Sequence, residues 1–402
     1  MDLQSSRYTV IFFAMIMALA PLASATYIPA FPAIGLALNA STSDVQLTLS
    51  AYMLGMALAQ PVYGPLADRW GRKSMIVLGT SVFAMASLGC LLSPSIELLI
   101  VCRFLQAFGA AGGLVLSQAM VRDIFQPLQA ARMLAYIGGV QAMAPAVGPL
   151  LGGMILMSMG WRAIFAVFLV LASVVLFTVI TQLPETLDPA RRQRMSPTTI
   201  LRNYQSVLSN RFFLGHSLTL GFMTGGFYSF MSAAPFVLIE LRGIPAGHFG
   251  GYYLLTILGF IGGSFLTVRL SHTLSSHRAV IFGGLLLAGG GVLMMGLEMA
   301  GVRTTWGILG PQVIFTLGSG IMMAHLISGA LMPFPGMAAT AAAAMGFIQM
   351  SAGALTSALV SRAYDGTALP MTILSANCGV CALLGYLLLV SKDAAEALRG
   401  PH

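Results

Sequence analysis

Three side chains that could carry charge or protons stand inside long apolar runs of this chain: Arg103, His216 and His325. A permanent cation inside a membrane costs about 2.5–3.5 kcal/mol even on the lenient insertion scale, so it indicates a functional site with a partner. Histidine titrates near neutral pH and could therefore bind and release protons. The chemistry predicted is charge recognition and proton coupling. The alternatives are snorkelling of Arg103 to the headgroups and ordinary packing of the histidines.

A second charged cluster occupies a short polar elbow between two apolar runs. Its small and charged residues are Gly64, Asp68, Arg69, Gly71, Arg72 and Lys73. Acidic and basic groups this close can form ion pairs, and ion pairs that break and re-form provide the two-state element of a conformational switch. The alternative is a basic loop that only fixes membrane topology.

A third pattern combines small residues with prolines in one apolar run. Its members are Pro145, Gly148, Pro149, Gly152 and Gly153. The glycines would give a helix a smooth face that a neighbouring helix can approach closely, and Pro149 removes a backbone donor and bends the helix at the same place. Generic close packing is the alternative, but it does not explain why the glycines keep this register with the Gly-Pro pair.

The elements that position these residues are membrane helices. The chain has 402 residues, of which 57% are hydrophobic and only 8% are charged, whereas a soluble domain carries about 25% charged residues. Helices are the open-ended structures that satisfy the backbone in a bilayer. The net charge of +8 lies in short loops, so it indicates topology and not nucleic-acid binding. The Cys378–Cys381 spacing lies in an apolar run and is expected to be packing, not a metal or redox pair.

Twelve apolar runs predict twelve transmembrane helices. They lie near residues 8–31, 44–66, 74–93, 96–119, 130–156, 162–183, 212–238, 248–270, 279–298, 305–331, 339–362 and 369–391. Basic residues concentrate in alternate loops, which predicts that both termini are cytoplasmic. The polar interval 184–211 divides the chain into N-terminal and C-terminal six-helix bundles, residues 1–183 and 212–402. The fold class predicted is an all-α membrane protein, and G-x-x-Q patterns in the fifth and eleventh runs weakly indicate pseudo-symmetric halves.

Several motifs together resemble one family of membrane transporters. The segment Gly64–Lys73 resembles the loop between the second and third spans of the major facilitator superfamily. The segment Ala144–Gly153 resembles the signature of its proton-driven exporters, with Ala144 replacing the first glycine. Arg103–Gln106 resembles the R-x-x-Q motif of the exporters' fourth span, where the arginine is associated with proton coupling. With Tyr27–Pro32 and Leu183–Thr186 included, the chain resembles the bicyclomycin- and chloramphenicol-resistance (Bcr/CflA-type) branch.

The resemblance implies a transporter and not an enzyme. It would export small drug-like or antibiotic molecules across the bacterial inner membrane by alternating access, in exchange for protons. The partners implied are the substrate, protons and the lipid bilayer, with no nucleic acid, no cofactor and a monomeric protein. No G-x-x-x-x-G-K-[ST] motif occurs, so ATP is not expected as the direct energy source. A metabolite symporter and an uncoupled facilitator of the same fold remain the alternatives.

The resemblance also assigns roles to individual residues. A cytoplasmic latch would comprise Gly64, Asp68, Arg69, Gly71, Arg72, Arg122 and Asp123, with Asp68 paired to Arg122. The substrate cavity would be lined by Tyr27, Tyr52, Gln60, Arg103, Gln106, Gln141, Tyr228, Tyr252, Gln312 and Gln349. A mostly apolar pocket with a few orienting hydrogen-bonding groups is typical of sites for drug-like ligands.

One departure from the family pattern bears on the mechanism. Members of this branch usually carry an aspartate just before the tyrosine of the first-span motif, and this chain has Ala25 before Thr26 and Tyr27. No acidic residue lies well inside any predicted span, so Arg103 is expected to lack an interior carboxylate partner. We therefore expect the pocket to favour anionic or strongly polar neutral compounds over lipophilic cations.

Overall fold

A computed structural model describes residues 6–187, 197–270 and 273–390 of the chain. Most of these residues are helical, and no strand occurs among them. Their contacts divide the chain into two compact units, Met1–Ile200 and Leu201–His402. The division falls inside the interval 184–211 that the sequence predicts as a linker.

The N-terminal unit contains seven of the described helices. They are α1 (Ser6–Ala25), α2 (Phe31–Leu38), α3 (Thr42–Trp70), α4 (Arg72–Leu92), α5 (Ile96–Ile124), α6 (Pro127–Met159) and α7 (Trp161–Gln182). A short 3₁₀ turn joins α1 to α2, so the first apolar segment continues beyond its predicted end at residue 31, as far as Leu38. Within the unit, α3 and α4 pack on α5, α4 packs on α7, and α1 packs on α6.

The C-terminal unit repeats this packing pattern. Its described helices are α8 (Pro197–Leu208), α9 (Arg211–Pro235), α10 (Ala246–Leu270), α11 (Ser276–Met299), α12 (Thr305–Leu331), α13 (Ala338–Ala363) and α14 (Leu369–Leu389). The boundary after Ile200 falls inside α8, so only residues 201–208 of that helix belong to this unit. Here α10 and α11 pack on α12, α11 packs on α14, and α9 packs on α13. The helix α8 lies in the predicted linker, where its Val207 is fully buried in the core of the C-terminal unit.

Eleven helical segments among the described residues are long and apolar enough to cross a membrane. The predicted span that is not among these eleven is the second, residues 44–66, which corresponds to α3. This helix has 29 residues and is therefore long enough, but it is more polar. Several of its polar side chains, including Gln46, Thr48 and Tyr52, are buried inside the unit. Because these groups face protein and not lipid, the helix can be less apolar than its neighbours and still span the bilayer.

Candidate functional site

Arg103 lies at the centre of an aromatic cage in the N-terminal unit. The side chain comes from α5 and is fully buried. Its guanidinium carbon lies 3.8 Å from the ring centroid of Tyr27 and 4.1 Å from that of Tyr52. The ring of Phe165 lies farther away, at 5.9 Å. A cation over aromatic faces is attracted by the ring quadrupole, and the attraction is largest where water is excluded.

The edges of the guanidinium meet neutral acceptors. Nη1 donates to Oε1 of Gln106, and Nη2 donates to the carbonyl oxygen of Ala23 at 3.1 Å. The amide nitrogen of Gln106 in turn donates to Oγ of Ser87 at 2.8 Å. Among the described residues no carboxylate pairs with Arg103, and its Nε has no hydrogen-bond partner. The charge is therefore buried without a counter-ion, as the sequence led us to expect.

The glycine–proline segment of α6 packs against the end of α1. A Cβ at Gly148 would lie 2.8 Å from that of Ala25, and a Cβ at Gly152 would overlap the carbonyl oxygen of Thr26. Ala25 is fully buried at this contact. The small residues therefore allow the two helices to touch two residues away from Ala23, the acceptor of Arg103. Pro145, Pro149 and Gly153 lie in the same helix.

The charged elbow forms an ion-pair network at the junction of α3 and α4. Nη2 of Arg72 lies 3.3 Å from Oδ1 of Asp68, and its Nε lies 3.3 Å from Oδ2 of Asp123. The predicted pairing of Asp68 with Arg122 is wrong among the described residues, because Asp68 pairs with Arg72 across the break at Gly71 and Arg122 is exposed. Arg69 is exposed and lies over the ring of Trp70.

Glu185 is a functional candidate to which the sequence assigned no role beyond membership of the Leu183–Thr186 motif. Its two carboxylate oxygens accept hydrogen bonds from the backbone N–H groups of Arg72 at 2.9 Å and Lys73 at 3.3 Å. Helix α4 begins at Arg72, and the residue before it, Gly71, has φ 96° and no side chain to cap the helix. The carboxylate supplies the missing cap and the negative charge that a helix N-terminus favours. The sequence signal was the Leu183–Thr186 motif, which ends the sixth apolar run and contains this carboxylate.

The two histidine candidates have different surroundings in the C-terminal unit. Nδ1 of His216 donates to the carbonyl oxygen of Phe212 at 2.8 Å, and the ring of Tyr386 lies edge-on at 5.7 Å. A Cβ at Gly329 would overlap the imidazole of His216. His325 is half-buried, and its Nε2 has no hydrogen-bond partner among the described residues. His216 is thus packed on several sides, whereas one ring nitrogen of His325 has no protein partner.

The remaining cavity candidates vary in exposure. Gln60, Tyr228 and Tyr252 are half-buried, and Nε2 of Gln349 donates to Oγ1 of Thr224 at 3.1 Å. The side chain of Gln141 lies outside the described part of the structure. Gln312 is fully buried, and neither its amide nitrogen nor its amide oxygen has a partner among the described residues.

The C-terminal unit also contains a buried ion pair that the sequence did not indicate. Nη2 of Arg242 lies 2.6 Å from Oε2 of Glu298, and both side chains are almost completely buried. The pair borders a cavity of about 330 Å³ that Arg303 and Thr367 also line. Since the two partners lie at the ends of separate apolar runs, no local spacing could have joined them.

Comparisons with known proteins agree with this architecture. The model of the Major Facilitator Superfamily matches residues 13–357. A bicyclomycin resistance protein homolog of Haemophilus influenzae is 30% identical over 91% of this chain and 92% of its own. A chloramphenicol resistance protein of Pseudomonas aeruginosa is 30% identical over 88% and 84%. The crystal structure of a D-xylose–proton symporter superposes with a TM-score of 0.73, at 13% identity over 96% of this chain and 98% of that one.

Proposed function

The chain belongs to the major facilitator superfamily, and from that membership we propose that it exports small drug-like or antibiotic molecules in exchange for protons. It is a multi-pass membrane transporter and not an enzyme. The exporter function is supported by relatives whose names denote bicyclomycin and chloramphenicol resistance. We further propose a bacterial inner-membrane location with both termini in the cytoplasm, because of the charge asymmetry between loops.

The packing of α6 on α1 is the observation that carries the exporter proposal. The exporter-like segment places Gly148 and Gly152 against Ala25 and Thr26, beside the helix turn that binds Arg103. A small change in the contact between these helices would therefore move an acceptor of the buried charge. This arrangement couples helix movement to the electrostatics of the site, which alternating access requires.

We assign Arg103 to substrate recognition and to electrostatic coupling, not to proton transfer. A guanidinium stays protonated in proteins, so Arg103 cannot release the exchanged proton. The aromatic and carbonyl groups around it are neutral, so an anionic or strongly polar neutral substrate can compensate the positive charge of the guanidinium. The proton would be carried by a titratable group, and we favour His325 because its Nε2 has no hydrogen-bond partner in the part of the chain that the structure describes.

The ion-pair network at Arg72 would act as the latch of the cycle. Arg72 bridges carboxylates from α3 and α5, and Glu185 holds the start of α4. All of these groups are at least partly exposed, so each pair contributes little alone and can break and re-form as helices move.

Substrate-driven proton movement in everted membrane vesicles tests the proposed function. Adding a substrate to energised vesicles should release luminal protons if the protein is an antiporter. A symporter would move protons in the direction of the substrate, and an uncoupled facilitator would equilibrate substrate without any proton signal. Vesicles containing Gly152→Leu serve as the matched inactive control, because a large side chain cannot fit against Thr26.

The same vesicles test the charge preference of the site. We expect anionic and polar neutral compounds to be the better substrates, and Arg103→Ala to reduce their transport at least tenfold. The charge assignment is wrong if lipophilic cations are the best substrates and Arg103→Ala leaves their transport unchanged.

A further inference from the structure

The two units share a set of glycine contacts that aligns them residue by residue. In the N-terminal unit, a Cβ at Gly79 of α4 would collide with the carbonyl oxygen of Gly109 on α5. In the C-terminal unit, a Cβ at Gly283 of α11 would collide with the carbonyl oxygen of Gly318 on α12. In each pair the second glycine also meets the carbonyl oxygen of the first. These reciprocal contacts establish that α4 and α5 correspond to α11 and α12.

A second glycine in each unit fixes the alignment near the buried charge. A Cβ at Gly55 would overlap the carbonyl oxygen of Phe104, and a Cβ at Gly259 would lie 2.7 Å from the carbonyl oxygen of Val313. The residue before Phe104 is Arg103, and the residue before Val313 is Gln312. Arg103 and Gln312 also lie six residues before the glycines that the first alignment equates. Gln312 is therefore the counterpart of Arg103 in the second repeat.

Two of the partners that hold Arg103, Tyr52 and Gln106, have different residue types at the matching positions near Gln312. Tyr52 lies three residues before Gly55, and the matching position before Gly259 is Thr256, whose hydroxyl donates to the carbonyl oxygen of Tyr253 at 2.7 Å. Gln106 corresponds to Phe315, a buried core residue. The C-terminal unit thus has a buried polar side chain at this position and, at the two matching positions, lacks the side chains that hold Arg103.

An unpaired buried carboxamide is unfavourable, because its N–H donor and its carbonyl acceptor lose their hydrogen bonds to water on burial and form none with the protein. Gln312 is fully buried, and its Nε2 and Oε1 are both unpartnered among the described residues. A group kept at such a cost commonly has a function or an unobserved partner. The carboxamide offers an N–H donor and a carbonyl acceptor side by side and carries no charge.

We propose that Gln312 is a ligand-binding residue of the C-terminal unit, and that it selects neutral compounds whose amide or hydroxyl groups pair with its carboxamide. This inference rests on the proposed export function and narrows its substrate class. Gln312 is closed to solvent in this structure, so the ligand reaches it in another conformation of the transport cycle. Compounds without hydrogen-bonding groups gain nothing from this contact, so their affinity is independent of residue 312.

Equilibrium binding to the purified full-length protein in lipid nanodiscs tests the proposal. Chloramphenicol serves as a neutral probe with an amide and hydroxyl groups, and biphenyl serves as a neutral probe without hydrogen-bonding groups. Gln312→Leu should weaken chloramphenicol binding at least tenfold and leave biphenyl binding unchanged. Gln46→Leu is the matched control, since Gln46 is also fully buried and unpartnered among the described residues but has no place in the alignment of Arg103 with Gln312.

A second variant and a separate readout make each outcome decisive. Gln312→Met replaces Gln312→Leu if the latter does not fold, and the same loss is expected. Equal chloramphenicol affinity of wild type and the Gln312 variants would overturn the proposal and leave water as the partner of Gln312. Failure of the wild type to bind any neutral amide in a panel would overturn the ligand class. Binding that depends on Gln312 without proton release in vesicles would retain this inference and refute antiport.

Discussion

The close contact of α1 with α6 predicts that Gly152→Ala destabilises the protein. A Cβ at residue 152 would overlap the carbonyl oxygen of Thr26, which is a backbone atom and cannot rotate away. Overpacking costs about 1–3 kcal/mol, and a backbone obstacle favours the upper part of that range. Replacing glycine by alanine within a helix gains about 0.8–1.0 kcal/mol of helix propensity. The net loss expected is therefore about 1–2 kcal/mol in the free energy of unfolding.

Gly138 provides a control on the same helix. A Cβ at this position would have open space around it, so Gly138→Ala should be neutral or stabilise by up to about 1 kcal/mol. The two alanine variants should therefore differ by about 1–3 kcal/mol, although they make the same chemical change in the same helix. Titration with sodium dodecyl sulfate in mixed micelles measures this difference, and vesicle transport measures its consequence for export.

The result that would refute the packing argument is simple to recognise. If Gly152→Ala unfolds at the same or a higher detergent fraction than Gly138→Ala, α1 and α6 do not approach as closely as the structure describes. If Gly152→Ala is destabilised and transports at the wild-type rate, the contact is real but has no role in the transport cycle. The exporter proposal would then lose the observation that carries it.

Four further substitutions test the charged and titratable groups. Glu185→Gln should weaken the cap of α4 by about 0.3–1 kcal/mol, the range for a charge near a helix end, and should slow transport; wild-type melting and transport would contradict the capping role. Asp68→Asn removes one of the two carboxylates paired with Arg72 and should reduce transport while membrane insertion, followed with a fluorescent fusion, stays intact; normal transport would exclude the latch. His325→Gln should abolish substrate-driven proton release and His216→Gln should retain it, since the His216 ring is already bonded and packed; the reverse ranking would exclude His325 as the proton carrier.

The fold was largely predictable from the sequence because membrane helices are specified by long local runs. Each run of about 20 apolar residues predicts one transmembrane helix, and this prediction needs no knowledge of distant contacts. The exceptions have local physical reasons. Helix α8 was not predicted because it is amphipathic and short. The first segment ends at Leu38, later than predicted, because Pro29 and Pro32 lie in the first turns of new helical elements and do not end the segment.

The sequence predicted which residues belong to the site, but not which of them contact one another. Arg103, Tyr27 and Tyr52 were each identified from the sequence, but their stacking needs α1, α3 and α5 to meet at one level of the bundle. Glu185 and Arg72 are far apart in the chain, and their hydrogen bond exists because α7 packs on α4. Contacts of this kind depend on tertiary geometry, which apolar periodicity does not encode.

The chemical difference between the two repeats bears on which substrate charge the transporter favours. In both repeats, corresponding helices pack together through corresponding glycine contacts. At the shared position one repeat holds a caged guanidinium and the other holds an unpaired carboxamide. Neither position presents a carboxylate, and Ala25 occupies the place where the family usually has one. A lipophilic cation would therefore find no counter-charge at either position, whereas an anionic or polar neutral molecule would satisfy groups that the protein leaves unsatisfied.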